Sequence, residues 1–594
     1  MLINLLCIIL FYGICIGAIC IERGYKICIK EYRSLSSTYI TVIFGILAIS
    51  TLVIIYWTNK NNFIYYWDYS GYWTSTLNQK KFVYSHSFTE SIKVLYDSIN
   101  YDDYNVFLPT ILALPLKIVG DDFSSYVICI HILFFLPTAV IWGLISVRLM
   151  KSNYKKKKVF VFTLLAAVLF PANYYATLQG YIDIAYLLPI SVAIYLFINY
   201  NFSSISISID ISIAALLILA WICRRYTIYF IIGYVFAMLF KAIYELSHNR
   251  SLTMIKQIFV NFFLIGGSSL GILLVVFRPF FLRALLSNYS YMYSAYDASL
   301  ATKLHTLNIS FGFITVIIVI CSGIVNIIYK DIVNYISMLI IVIVETGMFW
   351  MTQNMGVQHR MILNVPIFVM CCMPFLYIDN TSKSIKYFIK SVLLCLVLFI
   401  CYVTNFAKAL IPFCSAKGTN SIYAARYTPL IRNDIIQVNT LVNYLNSLTK
   451  DTDKHIYVLA SGSILNCDIL RKVNMPASFN AIPSMENTCD IDLRDGFPTA
   501  VLNTDYIVTT TPVQTHLQTG QEVISYLADY LQDSTSYIGR HFSKIYEIEL
   551  DDNIKALVYE KNSEFLKEDL EKMQQYYTQL YPNEDSLFKD RIHF

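Results

Sequence analysis

The sequence predicts an α-helical polytopic membrane protein with a C-terminal soluble α/β domain. Of its 594 residues, 56% are hydrophobic and only 14% are charged, which is far too apolar for an ordinary soluble protein. Apolar stretches of about 18 or more residues recur up to about residue 411, and each is long enough to cross a hydrocarbon core. The remainder of the chain is polar and acidic, which indicates a second domain of a different kind.

The apolar stretches predict twelve transmembrane helices. The first has no basic residue before it and no small-x-small cleavage site after it, so we interpret it as a retained span rather than a signal peptide. The twelve predicted spans are 2–21, 38–57, 124–149, 158–171, 183–199, 210–223, 226–244, 257–277, 309–328, 332–351, 361–378 and 391–411.

The basic loops predict the orientation of these spans. Lys and Arg concentrate in five short loops, and twelve spans place all five on one side, the cytoplasmic one. The five loops are 22–33, 151–158, 241–256, 329–330 and 383–390. We therefore predict a multi-pass protein of the cell membrane. Its transmembrane domain, 1–411, would expose a first outer loop (58–123), a long outer loop (278–308) and everything after residue 411 outside the cytoplasm.

The C-terminal region, 412–594, predicts an extracytoplasmic α/β domain. Residues 451–594 hold 12 Lys and Arg against 23 Asp and Glu, a net charge of −11, whereas the first 450 residues carry +16. Runs rich in β-branched and aromatic residues predict strands at 455–461, 505–511, 544–550 and 556–560. Helical periodicity predicts helices at 433–448, 521–533 and 565–580. Cys467 and Cys489 are candidates for a disulfide, although spacing alone does not establish one.

The charged and polar side chains at the ends of the predicted spans are the candidate functional residues, because such groups are costly near lipid and tend to be functional. All lie on the predicted outer side: Asp68, Asp102, Asp103, Gln179, Asp183, Arg224, Arg225, Arg278, Arg283, His359 and Arg360. Some have simpler interpretations. A single interfacial Arg often anchors in lipid headgroups, which is our interpretation of Arg278 and Arg283. Asp183 could instead cap the fifth predicted span.

The stretch FIYYWDYSGYW, residues 63–73, places Asp68 among seven aromatic side chains. A carboxylate gains nothing from anionic headgroups, and aromatic surroundings raise a carboxyl pKa by desolvation. We therefore favour a functional role for Asp68. The aromatic residues fit an interfacial belt, although Trp67 and Tyr72 could also stack on a sugar ring.

An acid and several Arg on an outer membrane face suit the transfer of a sugar from a lipid carrier. Nucleotide-activated sugars are not available outside the cell, so the glycosyl group would arrive on a lipid phosphate. Arg binds the departing phosphate in bidentate fashion, and a partly desolvated carboxylate is suited to act as the general base for the acceptor hydroxyl. The chain shows no nucleotide-binding glycine loop, no zinc-type His/Cys pattern and no indication of a nucleic-acid partner.

The segments YWDYSGYW and DYNVFLPTILALPLKIVG, followed by many spans and a soluble α/β domain, resemble the GT-C superfamily of integral membrane glycosyltransferases. The resemblance covers the architecture of the whole chain, but its motifs are loose and fall mostly within residues 63–120. It implies a polyprenyl-phosphate-sugar donor, and Asp68 as the catalytic base. The sequence departs from several members because Tyr69, not a second acid, follows Asp68, and because one additional span precedes the acid. These departures leave the second acid and metal dependence open, with Asp103 as the candidate acid.

The residues and the resemblance together predict an inverting glycosyltransferase with a glycan or lipid-linked acceptor. Asp68 and Asp103 would be catalytic. The donor phosphate would be held by Arg224, Arg225 and Arg360. The substrate-binding residues would be Trp67, Tyr72, Gln179, Asp183 and His359. A polysaccharide polymerase or ligase, or a lipid or sugar transporter (flippase), remains an alternative. A transporter should place its charges nearer the membrane midplane.

Overall fold

The computed structural model describes residues 37–150, 156–287, 289–328, 332–376 and 429–593. They form two compact units. The first combines Met1–Lys60, Tyr72–Ser287 and Ala298–Pro429, and the second combines Asn61–Gly71, Asn288–Asp297 and Leu430–Phe594, each as far as it is described. The second unit is therefore assembled from three separate segments of the chain.

The regular secondary structure of the first unit is helical throughout its described residues. We number its longer helices α1 Ser37–Thr58, α2 Trp67–Ser85, α3 Phe88–Tyr101, α4 Phe107–Val119, α5 Phe123–Leu149, α6 Lys156–Val168, α7 Ile184–Ile198, α8 Ile207–Cys223, α9 Ile228–His248, α10 Leu252–Val275, α11 Arg278–Leu286, α12 Leu300–Phe311, α13 Phe313–Ile328, α14 Ile332–Trp350 and α15 Asn364–Leu376. The first residues of α2, up to Gly71, are counted with the second unit.

Side-chain caps fix several of these helix starts. Ser87 and Glu90 form a reciprocal capping box at α3, since each side chain bonds to the backbone N–H of the other. The side chain of Asp122 accepts a hydrogen bond from Ser125 N at the start of α5. Gly120, at φ +125°, allows the sharp turn between α4 and α5.

The structure does not confirm twelve spans. Within the described residues, five helices are long and apolar enough to cross a membrane: Ser37–Thr58, Phe123–Leu149, Arg225–His248, Leu252–Val275 and Ile332–Trp350. Two bent pairs raise the number to seven if each pair is one span. The predicted spans 183–199, 210–223 and 361–378 correspond to shorter apolar helices, and the predicted spans 2–21 and 391–411 lie outside the described residues.

The two bends have local causes. The segment Lys156–Val168 turns by 52° into Pro171–Leu178, because Pro171 lacks the N–H that would continue the helix. Helices α12 and α13 meet at 84° around Gly312, whose φ of +72° ends a right-handed helix. A continuous apolar pattern cannot reveal such a bend, since the side chains on both sides remain apolar.

The second unit is a small α/β structure, as the sequence predicts. Its strands are β1 Ile456–Leu459, β2 Tyr506–Thr511, β3 Phe542–Glu549 and β4 Lys555–Lys561, in the order β1-β2-β4-β3. The pair β1 and β2 is parallel, and the other two pairs are antiparallel. The predicted helices form as α16 Ile435–Thr449, α17 Glu522–Gln532 and α18 Lys567–Leu580.

Two apolar cores cover the two faces of this sheet. One includes Tyr457, Leu459 and Ile507 together with side chains of α17 and α18. The other includes Val458 and Val508 together with side chains of α16. Successive residues of a strand point to opposite faces, so β1 and β2 contribute to both cores. Cys467 and Cys489 are free thiols, so the structure does not form the candidate disulfide.

Candidate functional site

Asp68 lies in the first turn of α2 and belongs to the second unit. The preceding Ile64 and Tyr66 are buried in a core of that unit. Trp67 has a φ of +47°, and its backbone N–H donates to Asp468 Oδ2 at 2.9 Å. These anchors directly before Asp68 hold the start of the turn in place.

The loops that follow β1 and β2 meet beside this turn. Ser461 is the second residue after β1 and His516 follows β2, and Ser461 Oγ lies 2.8 Å from His516 Nδ1. The Trp67 and His516 rings pack with their centroids 4.7 Å apart. The carboxyl ends of adjacent parallel strands form a crevice where α/β proteins commonly bind ligands.

Tyr296, from the segment Asn288–Asp297, lies next to these two loops. Its hydroxyl lies 3.4 Å from His516 Nε2. Burial raises the pKa of the Tyr296 phenol to about 12; Arg494 opposes the shift, whereas Asp490 and Asp68 add to it. Arg494, Asp490 and Asp68 are therefore all close enough to Tyr296 to interact electrostatically.

Asp490 and Arg494 are two further charged groups close to Tyr296. Burial raises the Asp490 pKa to about 6, against the opposing effects of Arg494 and of a hydrogen bond from Ser461. Arg494 makes a two-bond ion pair with Asp495, with Nε–Oδ1 and Nη2–Oδ2 distances of 2.7 Å. We call the residues Trp67, Asp68, Tyr296, Ser461, Asp490, Arg494 and His516 the strand-edge site.

Gln521 fixes the His516 loop to the Asp490 segment. Its Oε1 accepts hydrogen bonds from the backbone N–H groups of His516 and Leu517, at 2.9 and 2.7 Å. Its Nε2 donates to the Asp490 carbonyl at 2.7 Å. Because Gln521 is itself buried, this connection makes the strand-edge site a preorganised one.

The first unit contains a buried ion pair between Asp183 and Arg224. Arg224 Nε lies 2.7 Å from Asp183 Oδ1, and the Tyr226 hydroxyl donates to the same oxygen. Asp183 is fully buried, and its Oδ2 has no hydrogen-bond partner within the described ranges. Asp183 occupies the N-cap position of α7, but its side chain makes no cap hydrogen bond. Asp183 thus stands at the start of α7, as the capping alternative expects, but Arg224 and Tyr226 rather than a cap hydrogen bond take up its carboxylate.

Aromatic rings surround this ion pair. The Arg224 guanidinium lies 4.9 Å from the Tyr72 ring centroid, a cation–π distance. The His359 ring packs edge-to-face on Tyr226 at 4.8 Å. The Tyr186 hydroxyl donates to the Gln358 carbonyl at 3.2 Å, and the Tyr226 hydroxyl lies 3.4 Å from the same carbonyl oxygen. The first unit thus brings together Tyr72, Asp183, Arg224 and His359, four of the predicted residues.

A second ion-pair group in the first unit is more exposed. Asp103 Oδ1 lies 2.7 Å from Arg225 Nη1 and 3.4 Å from Arg283 Nε. Arg283 also donates to the carbonyls of Asn100 and Asp102, at 2.9 and 2.7 Å. Arg283 therefore does more than anchor in headgroups, because it holds the loop that carries Asp103. We call Asp103, Arg225 and Arg283 the arginine cluster.

The remaining predicted residues lie apart from these groups. Arg360 is buried and donates to the carbonyls of Thr306 and Gly356, at 2.6 and 3.3 Å. Gln179 is also buried, and its Oε1 has no hydrogen-bond partner in the described part of the chain. Asp68 and Asp103, the two predicted catalytic acids, belong to different units.

Sequence reasoning missed most of the strand-edge site. Tyr296, Ser461, Asp490, Arg494 and His516 are common residue types in polar loops, and no spacing connects them. The position of Ser461 at the end of the predicted strand 455–461 was the one available signal, since strand ends are frequent ligand sites.

Glu345 was also missed. It is a fully buried acid in α14, and neither of its carboxylate oxygens has a hydrogen-bond partner among the described residues. The sequence signal was present, because Glu345 interrupts the apolar run of the predicted span 332–351. An acid inside a span is a functional candidate.

In the described ranges, no group of three or more His, Cys, Asp or Glu side chains could hold a metal ion. No protein-family model and no curated protein matches this chain. The class defined by fold and site is a helical protein with apolar, membrane-length helices and a small α/β unit that carries an acidic, aromatic strand-edge site.

Proposed function

We propose that this chain is a glycosyltransferase of the cell envelope, of the GT-C type. It would transfer a sugar from a polyprenyl-phosphate carrier to a glycan or lipid-linked acceptor on the outer face of the membrane. The setting of Asp68 carries the proposal: a carboxylate in the first turn of α2, next to Trp67, whose ring packs on His516 in the loop that follows β2.

In the proposed reaction Asp68 accepts the proton of the acceptor hydroxyl, whose oxygen attacks the anomeric carbon. The bond from that carbon to the carrier phosphate breaks, and the polyprenyl phosphate leaves. One displacement inverts the anomeric configuration. Trp67 offers a flat ring on which a sugar can stack.

Arg224 and Arg225 are the proposed phosphate-binding residues. Both lie at helix ends of the first unit, where a headgroup phosphate would be held at the level of the interface. Arg225 is the better candidate, because its partner Asp103 is half exposed and can exchange Arg225 for water when a phosphate arrives. Arg360 is a weaker candidate, since it is buried and bonded to two carbonyls.

Asp68→Asn tests the base. The amide keeps the shape of the carboxylate but cannot accept the proton, so we expect transfer from a radiolabelled polyprenyl-phosphate sugar to fall by about 10²-fold or more. Asp552→Asn is the matched control, because Asp552 is exposed in the same unit and its φ of +59° suits Asn. Transfer by Asp68→Asn at the control rate would remove Asp68 from the mechanism.

A lipid or sugar transporter is the second candidate function, and Glu345 is the observation that favours it. Transporters place ionisable groups within their spans and often contain broken helices, as α12 and α13 do. A flippase assay in proteoliposomes distinguishes the two functions. Loss of lipid translocation in Glu345→Gln, with no sugar transfer by the unmodified protein, would favour the transporter.

A further inference from the structure

A hydrogen-bonded chain of three side chains connects the start of β3, the loop after β4 and the first turn of α18. The three residues are Ser563, His541 and Asp569, which we call the serine triad. It shares no residue with the strand-edge site. We propose that the serine triad gives the second unit a second activity, the hydrolysis of neutral carboxylic esters with Ser563 as the nucleophile.

The three side chains stand in the order that a serine nucleophile requires. Ser563 Oγ lies 2.7 Å from His541 Nδ1, and His541 Nε2 lies 2.9 Å from Asp569 Oδ2. Both distances suit a nucleophile, its base and the group that orients the base. Ser563 is exposed, whereas His541 and Asp569 are buried. A substrate can therefore reach the hydroxyl while the two supporting side chains keep their positions.

The neighbours of His541 place its ring proton on Nε2. The Asp569 carboxylate also accepts hydrogen bonds from Leu566 N at 2.9 Å and from Arg540 Nη2 at 2.6 Å. It is an acceptor on every side, so an Nε2 without a proton would face it lone pair to lone pair. Arg540 Nε is a donor that lies 3.5 Å from Nε2, but this distance is at the limit of a hydrogen bond. Nδ1 is then free to accept the Ser563 proton.

The loop that carries Ser563 can also hold the oxygen that becomes negative during the attack. Asn562 N donates to the His541 carbonyl at 2.8 Å, which fixes the start of this loop. The backbone N–H groups of Ser563 and Glu564 donate to no acceptor in the described part of the chain, so both are available to that oxygen. The side chains of Glu564 and Glu568 are 83% and 60% exposed in the same region, which favours a neutral ester over an anionic one.

The proposed reaction consumes one water molecule. Ser563 Oγ attacks the ester carbonyl carbon, and its proton passes to His541 Nδ1. The bond from that carbon to the alcohol oxygen breaks, and the alcohol leaves with the proton from Nδ1. Water then attacks the acyl group on Ser563, gives one proton through Nδ1 back to Ser563 Oγ, and releases the carboxylic acid. Asp569 is a positioning residue, because it orients the His541 ring without contacting the ester.

The first test treats the full-length protein in detergent with a fluorophosphonate probe, which reacts with activated serine hydroxyls. We expect mass spectrometry to find the probe on Ser563, and its rate of attachment to fall about tenfold or more in His541→Gln. Hydrolysis of p-nitrophenyl acetate should fall by about 10²-fold in Ser563→Ala. Ser447→Ala is the matched control, because Ser447 is exposed on α16 and its hydroxyl donates to the Tyr444 carbonyl. A wild-type protein without the probe on Ser563 would overturn the proposal.

The second test keeps His541 and Asp569 in place, since His541→Gln also removes a buried contact. Iodoacetamide should alkylate the thiol of Ser563→Cys about tenfold faster than the thiol of Ser447→Cys, because a neighbouring base favours the thiolate. Peptide mass spectrometry separates these thiols from the native cysteines. Equal rates would show that the serine triad only connects β3 to α18, and would overturn the esterase activity. Neither test involves sugar transfer, so each result stands whether or not the chain is a glycosyltransferase.

Discussion

At the scale of single residues, buried carboxylates differ in how they are paired. Asp183 and Asp490 have the same carboxylate, but the first is paired with Arg224 inside a helical unit and the second stands in a polar loop cluster. A carboxylate that is buried without full pairing resists ionisation. Asp490 therefore contributes to stability in a pH-dependent way that an exposed acid would not.

Asp490→Asn should remove a pH dependence of stability. The folded-state pKa of Asp490 is raised from 3.8 to about 6, chiefly by burial, so the folded protein binds more protons than the unfolded chain between these values. Stability conferred through Asp490 therefore falls as pH rises from about 4 to about 6. Thermal unfolding of the full-length protein across this window should show a smaller decline in the Asn variant. An identical decline in both proteins would contradict the assignment.

Arg225→Lys should weaken donor binding. Lys keeps the charge but loses the planar pair of donors that suits a phosphate, so we expect the donor KM to rise about tenfold. Binding of polyprenyl phosphate to the purified protein measures the effect separately from catalysis. Arg278→Lys is the control, because Arg278 is not part of the arginine cluster. Equal affinities in both variants would argue against Arg225 as a phosphate ligand.

At the scale of elements, close helix packing explains where Glu345 lies. Helices α9 and α14 approach so closely that a Cβ at Gly233 would lie 3.1 Å from Ile341 Cα. Glu345 follows Ile341 by one helical turn and therefore continues the same face of α14. A contact of this kind leaves little room for water, which accounts for the full burial of the carboxyl group.

Glu345→Leu should stabilise the protein. Burial of a carboxyl group without a partner is unfavourable, and a hydrophobic side chain of similar volume removes that cost, so we expect a gain of about 1–3 kcal/mol. Thermal unfolding in detergent measures it. Glu245→Leu is the opposing control. Glu245 accepts a hydrogen bond from Phe202 N at 2.9 Å, and the loss of this hydrogen bond should destabilise the protein. A lower unfolding temperature for Glu345→Leu would mean that the carboxyl group has a stabilising partner.

At the scale of the whole molecule, the second unit depends on chain segments that are distant in sequence. Asn62 N donates to the Leu430 carbonyl at 2.9 Å, and Arg432 N donates to the Asn62 carbonyl at 2.8 Å. Ile64 and Tyr66 are part of its core, and Tyr296 is part of its site. A fragment that begins near residue 430 therefore lacks both core and site residues.

Ile64→Ala tests this dependence. Ile64 is 4% exposed in the core of the second unit, so its truncation should destabilise that unit by about 2–4 kcal/mol. Limited proteolysis should show faster cleavage after residue 430 in the variant. Ile436→Ala is the control, because Ile436 is 77% exposed. Equal cleavage rates would show that the segment 61–71 adds little to the unit.

The sequence by itself determined the membrane class, the positions of most described helices and the four strands of the second unit. These features depend on local periodicity and composition, which a chain displays without reference to its fold. Only the tertiary structure decided that the Asp183 carboxylate at the start of α7 pairs with Arg224, that two predicted spans bend, and that Trp67, the neighbour of Asp68, packs against His516. Asp183 and Arg224 are 41 residues apart in the chain, and Trp67 and His516 are separated by most of the chain, so only packing brings these partners into contact.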